Sequence, residues 1–254
     1  MKESICSEAI FAHEILSTAD GAIDLFAFGD PAAKNRYLIT GGKHGGEIES
    51  VDVSWRFVEM LKVASNEYSD VFFVVVPELS PAQSRQAMDD ISNNCVKGKI
   101  ADFRNKYRVN LAGINLNRDY PTNGDSGPFL LAEQTRIILD LHEKYGFNMM
   151  FDFHSHMRTP FTHYVCDNPD SVVIARRLNN INGNGWLTYC YRPEERLAGC
   201  AGEYFGVERE VGFITVELGA CPRKRDFKKH CDLMWGEQFS ALDWLFRQNL
   251  SDFH

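Results

Sequence analysis

The sequence predicts an α/β fold: a single-domain mixed, mostly parallel sheet flanked by helices on both faces. Three observations predict it. Short runs rich in apolar and β-forming residues alternate with longer amphipathic stretches. One of those runs, Val71–Val76 (VFFVVV), is apolar at every position, as a strand covered on both faces must be. The 254 residues contain no internal repeat and no low-complexity tract, and α/β domains of about 250 residues commonly stay single. Residues 1–35 read as an N-terminal extension packed on the domain, and 36–254 as the domain itself.

Taken in order, Arg36–Thr40 (RYLIT) and Val71–Val76 are the first strands. Phe147–Phe153 (FNMMFDF) and Gly212–Leu218 (GFITVEL) follow, each ending in a polar group, and Tyr164–Cys166 is a short fifth. Between them Glu47–Ala64 puts Ile48, Val51, Trp55, Val58 and Leu61 on one helical face. Pro128–Tyr145 carries Leu130, Ile137 and Leu141 at helical spacing, Ser171–Asn179 is a shorter helix, and Asp226–Arg247 brings Leu233, Phe239, Leu242, Leu245 and Phe246. Pro77–Pro128 is long, poor in regular pattern and marked by glycines at 98, 113, 124 and 127, so it reads as a functional loop. Ligands of such sheets bind outside the carboxyl ends of the strands. The loops after Thr40, Val76, Phe153 and Leu218 are therefore where chemistry is expected.

Composition narrows the partners. The net charge is −8, and no run of lysines or arginines forms the basic footprint that a nucleic-acid binder needs. No stretch approaches the ~20 consecutive apolar residues of a membrane helix. Met1–Asp20 holds Glu3, Glu8 and Glu14 where a secretory signal would be basic and then apolar, so a cytoplasmic protein is expected. The seven cysteines, Cys6, Cys95, Cys166, Cys190, Cys200, Cys221 and Cys231, include no C-x-x-C pair and are read as thiols rather than a disulfide framework. The expected ligand is a small molecule.

After the first strand comes Gly41-Gly42-Lys43-His44-Gly45-Gly46-Glu47. Here His44 and Glu47 lie three residues apart at the entry to a helix, a spacing that can aim an imidazole and a carboxylate at one centre, while the glycines let the backbone approach closely. The plainer alternative is an exposed loop histidine and an acid suited to a helix N-terminus. The third strand supplies a complement, for Phe151-Asp152-Phe153-His154-Ser155-His156 runs into two histidines at its carboxyl end. Two histidines and a glutamate with one position open make a ligand set for catalytic zinc. His154, at the strand end, is the better third ligand than His156.

Glu217 is a single carboxylate in the otherwise apolar run Phe213–Leu218. A buried, unpaired charge is costly, so it needs a partner or a task. It can shuttle a proton, or it can pair with one of Arg223, Lys224 and Arg225. Arg118 with Asn117 can clamp a substrate carboxylate, since guanidinium meets its two oxygens bidentately.

The segments GGKHGGE, GINLNRDYP, FDFHSH and ITVELG resemble, in order and rough separation, those of the zinc carboxypeptidase superfamily, which also includes murein peptide amidases and the succinylglutamate desuccinylase/aspartoacylase group. The resemblance spans about Arg36 to Arg247 and makes 36–254 a zinc carboxypeptidase-like catalytic domain. It implies one zinc ion per chain held by His44, Glu47 and His154, with Glu217 as general base. It implies that Arg108, within Arg104–Arg108 (RNKYR), polarises the scissile carbonyl, Arg104 being the other candidate. Asn117 and Arg118 match the pair that binds a terminal carboxylate, and Tyr191 is the expected assisting tyrosine, with Tyr189 and Tyr204 as alternatives.

Two departures stand out. Asn115 occupies the place of the aspartate that usually orients the first zinc histidine, and a neutral acceptor there weakens the histidine as a donor to metal. Ala198–Tyr204 is similar to the amidases' glycine-rich specificity loop, with Ala201 at the specificity position, whereas Glu217-Leu218-Gly219 before a basic run is similar to the desuccinylases. The implied activity is zinc-dependent hydrolysis of an amide or peptide bond adjacent to a free carboxylate, on a small peptide. The alternatives are an N-acyl amino acid deacylase, and a domain that binds peptide or metal without turnover. His156 and Asp152 raise the idea of a second metal, but Asp152 is expected to point to a neighbouring strand or loop.

Overall fold

The structure is a computed structural model, and it describes residues 11–68, 70–93, 100–122, 131–156, 162–165, 168–182, 187–190, 198–219 and 227–250. Eight strands form one mixed sheet: β1 (Phe11–Thr18), β2 (Gly21–Gly29), β3 (Asn35–Thr40), β4 (Val71–Val76), β5 (Met149–His156), β6 (Thr162–Val165), β7 (Leu187–Cys190) and β8 (Gly212–Gly219). Their order across the sheet is β1-β2-β4-β3-β5-β8-β6-β7. The central block β4-β3-β5-β8 is parallel throughout, as is β6 with β7. The pairs β1/β2, β2/β4 and β6/β8 are antiparallel. The α/β architecture with a mixed, mostly parallel sheet holds.

Side-chain alternation on the central strands builds two cores. From β4, Phe73 and Val75 enter one core with Tyr37, Phe151, Phe153 and Val216, closed by Phe57, Val58 and Leu61 of helix α1 (Ile48–Ala64) and by Leu242, Leu245 and Phe246 of the C-terminal helix Phe227–Phe246. Phe72, Val74 and Val76 enter the other, with Leu38, Met150 and Phe213, against Ile138 and Leu141 of Glu133–Tyr145 and the segment around Phe205. Every residue of β4 is buried, and each such side chain contributes about 1.5–3 kcal/mol of burial.

Five elements, β1, β2, β7, α2 (Pro81–Ser92) and α3 (Ile100–Lys106), were not in the sequence reading. Strands β1 and β2 precede the first strand predicted; β1 (FAHEILST) is mostly exposed and has no continuous apolar run to announce it. Pro77–Pro128 is no unstructured loop, since it holds α2 and α3. The face that α2 buries consists of Pro81, Gln83, Ser84 and Ala87, so it lacks the apolar stripe that periodicity detects. On α1 the fully buried apolar positions are Val53, Phe57, Val58 and Leu61, while Val51 and Trp55 lie half-buried at the rim. The remaining helices, α4 (Glu133–Tyr145), α5 (Pro169–Asn182) and α6 (Phe227–Phe246), match predicted segments within a few residues at most ends. Leu233 of α6 is exposed rather than part of the apolar face. Among the described residues no helix is long and apolar enough to cross a membrane, and Cys200 and Cys231 are free, buried thiols.

Candidate metal centre

The parallel block decides the geometry. β3 ends at Thr40, and the chain turns through Gly42, whose φ of +62° suits glycine, into the loop carrying Lys43 and His44. Glu47 then caps α1, and its backbone N–H donates to the carbonyl of His44 at 3.0 Å, closing the turn. β5 lies beside β3 with Thr40 opposite Asp152, which brings His154 to the same rim. β8 lies beside β5 with Glu217 directly opposite His154.

His44, Glu47 and His154 converge with one ligand atom each within 4.8 Å of the others, and all three are buried. Nδ1 of His44 is 2.9 Å from Oε1 of Glu47, and Nδ1 of His154 is 2.9 Å from its Oε2. Both imidazoles thus turn the same nitrogen inward. Their Nε2 atoms are held from outside, that of His44 by Oδ1 of Asn115 at 2.9 Å and that of His154 by Oδ2 of Asp152 at 3.1 Å. Asn115 takes up the orienting role in spite of its neutrality, and Asp152 points to a neighbouring strand and loop: it accepts from Thr40 Oγ1 at 2.7 Å and from Lys43 Nζ at 2.5 Å. An inward donor set of two imidazole nitrogens and a carboxylate, with each ring fixed by a second acceptor, fits a zinc ion.

The electrostatics follow from burial and charge. Burial penalises the carboxylate of Glu47, but the two histidines outweigh it and hold its pKa well below the usual range. For His154, burial opposes protonation, yet the carboxylates of Asp152 and Glu47 prevail and push its pKa up to about 10. Glu217 behaves oppositely. Burial dominates, and with Glu47 and Asp152 nearby it pushes the pKa up to about 7 against the lowering effect of His154 and Arg104.

Arg104 and Arg108 separate cleanly. Arg104 is buried on α3, where it donates to the carbonyl oxygen and the hydroxyl of Ser155 and to Glu49 Oε2 at 3.1 Å. Ser155 in turn donates from its backbone N–H to Glu47 Oε2 at 3.1 Å and from its hydroxyl to Glu49 Oε2 at 2.8 Å. This network of Arg104, Glu49 and Ser155, which ties α1, α3 and β5 together around the carboxylate of Glu47, was missed by sequence reading. Its only hint was a glutamate two residues beyond Glu47, where an acid also suits a helix start for ordinary reasons. Arg108, just past α3, is exposed.

Asn117 and Arg118 lie in the single helical turn Leu116–Arg118, which Asn115 caps by accepting the N–H of Asn117. Asn117 is half-buried and its Oδ1 accepts from Ala201 N–H at 3.3 Å, while Arg118 is exposed. The structure therefore lays the Ala198–Tyr204 segment against Asn117 and Arg118. Gly199 makes this possible with φ +74°, its carbonyl accepting from Tyr120 N–H at 2.9 Å. Tyr191 lies outside the described residues, as does the run Arg223–Arg225. Tyr204, an alternative to Tyr191, is buried beside Arg209, and its hydroxyl accepts from that guanidinium at 2.8 Å.

No protein-family model and no curated protein sequence matches the chain. Solved structures do. A metallo-carboxypeptidase from Pseudomonas aeruginosa superposes with a TM-score of 0.69 at 14% identity, over 95% of this chain and 64% of that one. Carboxypeptidase A from Helicoverpa armigera gives 0.67 at 13%, over 92% and 68%. A succinylglutamate desuccinylase/aspartoacylase from Rhodobacter sphaeroides gives 0.58 at 14%, over 92% and 64%. The chain spans less than two thirds of the Pseudomonas and Rhodobacter proteins. The fold of this chain is that of the metallo-carboxypeptidases and of the desuccinylase/aspartoacylase group related to them.

Proposed function

We propose that the chain is a zinc-dependent hydrolase that cleaves an amide or peptide bond adjacent to a free carboxylate, in the manner of a carboxypeptidase or peptide amidase. The observation that carries this reading is the convergence of His44, Glu47 and His154 with Glu217 in register beside His154. When bound there, one zinc ion supplies a Lewis acid for the carbonyl and an activated water.

The chain's own residues do the rest. Glu217, with a pKa raised toward neutrality, takes a proton from the attacking water and passes it to the leaving nitrogen. Arg108, exposed beyond α3, meets the developing oxyanion, a role supported by Arg104 being committed to Ser155 and Glu49. Asn117 spends its oxygen on Ala201, which leaves its amide hydrogens to join Arg118 in holding the substrate carboxylate. Tyr191 is assigned to the substrate side on the resemblance alone.

The test is Glu217→Gln in zinc-loaded protein. It should retain one zinc per chain and lose about 10²–10⁴-fold in hydrolysis of peptides with a free terminal carboxylate; a fully active variant sinks the assignment. Running the wild-type protein on cell-wall peptides and on N-succinyl and N-acetyl amino acids separates the peptidase reading from the deacylase one, since preference for the acylated amino acids would select the latter.

A further inference from the structure

Lys43 is the residue of the metal loop that neither the motif comparison nor the reaction uses. It stands directly before His44, yet its side chain is only 2% exposed. Its Nζ lies 2.5 Å from Asp152 Oδ2 and 5.1 Å from the centre of the Tyr120 ring. The same Oδ2 is the atom 3.1 Å from Nε2 of His154, and the other oxygen of Asp152 is occupied by Thr40. Burying an ammonium is costly, and an ion pair so enclosed adds little net stability over an apolar pair of the same volume. What the pair does fix is the position and the charge of the carboxylate behind His154.

The two histidines are thereby treated alike. His44 is backed by the neutral amide of Asn115. His154 is backed by a carboxylate, but the ammonium of Lys43 cancels its charge. Glu47 then remains the one uncompensated negative charge of the ligand set and its backing groups.

We infer that Lys43 is a positioning residue for the metal centre: it pins and neutralises Asp152, so that Asp152 orients His154 with Nδ1 toward the ion. The inference rests on reading His44, Glu47 and His154 as the metal ligands, and the test separates the two. Zinc affinity of the full chain is measured by competition with a chromophoric chelator, and the ligand field by the absorption bands of the cobalt(II)-substituted protein. The proteins compared are wild type, Lys43→Met, Asp152→Asn, the double variant, and His44→Ala as control.

Because partners behind a metal-binding histidine typically govern affinity 10–100-fold, and because freeing Asp152 from the position that orients His154 outweighs the donor strength its uncompensated charge would add, Lys43→Met should bind zinc at least about tenfold more weakly and shift the cobalt bands. The double variant should bind no more weakly than Asp152→Asn, because Lys43 acts through Asp152. If His44→Ala abolishes zinc binding while Lys43→Met matches wild type in affinity and spectrum, the inference about Lys43 is overturned and the metal site stands. Losses that multiply in the double variant overturn it as well. If wild type binds no zinc, both readings fall. Should Lys43→Met lack the near-ultraviolet circular dichroism of a folded apoprotein, Lys43→Gln, which keeps a donor without the charge, takes its place in the same cycle under the same outcomes.

Discussion

At the residue scale, the site separates atoms that face its centre from atoms that hold those atoms in place. Asn115 is the clearest case. Its Oδ1 fixes the ring of His44 at 2.9 Å but brings no charge, so His44 is a weaker donor than it would be before a carboxylate. Asn115→Asp should therefore tighten zinc binding by about tenfold, read by chelator competition; unchanged or weaker affinity would show that the amide is no handicap. The convergence of His44, Glu47 and His154 was legible in the sequence, because the two histidines follow the apolar runs of β3 and β5 and Glu47 stands three residues beyond His44. The burial of Lys43 was not. A lysine in a glycine-rich loop reads as exposed, and only the register of β3 against β5, with Thr40 opposite Asp152, reveals that it is enclosed.

At the element scale, the strands and helices that sequence found bury an apolar face; α2 and β1, which it lost, do not, whereas β2 buries Ile23, Leu25, Phe26, Ala27 and Phe28 and was passed over in spite of its apolar run. α2 covers its face with Pro81, Gln83, Ser84 and Ala87, and β1 exposes most of its length. Loops are harder still, because their geometry depends on what they touch. The segment beginning at Ala198 rests on Asn117 and Arg118 only because Gly199 has no side chain: a Cβ there would lie 2.5 Å from the carbonyl oxygen of Arg118. Gly199→Ala should lift this segment from Asn117 and Arg118, raising KM more than it lowers kcat and costing about 1–3 kcal/mol in urea unfolding. Unaltered KM and stability would show that the contact does not order the clamp.

At the scale of the whole molecule, stability and chemistry share strand β8. On one side β8 presents Glu217 to His154, and on the other it pairs with β6, where His163 lies opposite Val216. His163 is fully buried, and that burial lowers its pKa to about 4. The unfolded chain takes up this proton near 6.5, the folded one only near 4, so the unfolded state binds more protons between those values. Stability from this residue is whole above pH 6.5 and falls as the pH drops toward 4, by about 3 kcal/mol in all. Urea unfolding of the apoprotein at a series of pH values should show that loss, and His163→Gln should flatten it; equal slopes in the two proteins would refute the assignment.

The direct pairing of His154 with Glu217 has one more consequence, and it concerns time rather than structure. His44, His154 and Glu217 are brought together only by parallel pairing of strands that are far apart in the chain, and such non-local contacts form slowly because loop closure must precede them. A slip of β8 by one residue would put Val216 or Leu218 where Glu217 belongs and turn every side chain of the strand to the opposite core. During refolding, recovery of hydrolysis should accordingly trail recovery of helical circular dichroism, because Glu217, the proton shuttle proposed above, faces His154 only once β8 has docked in its final register.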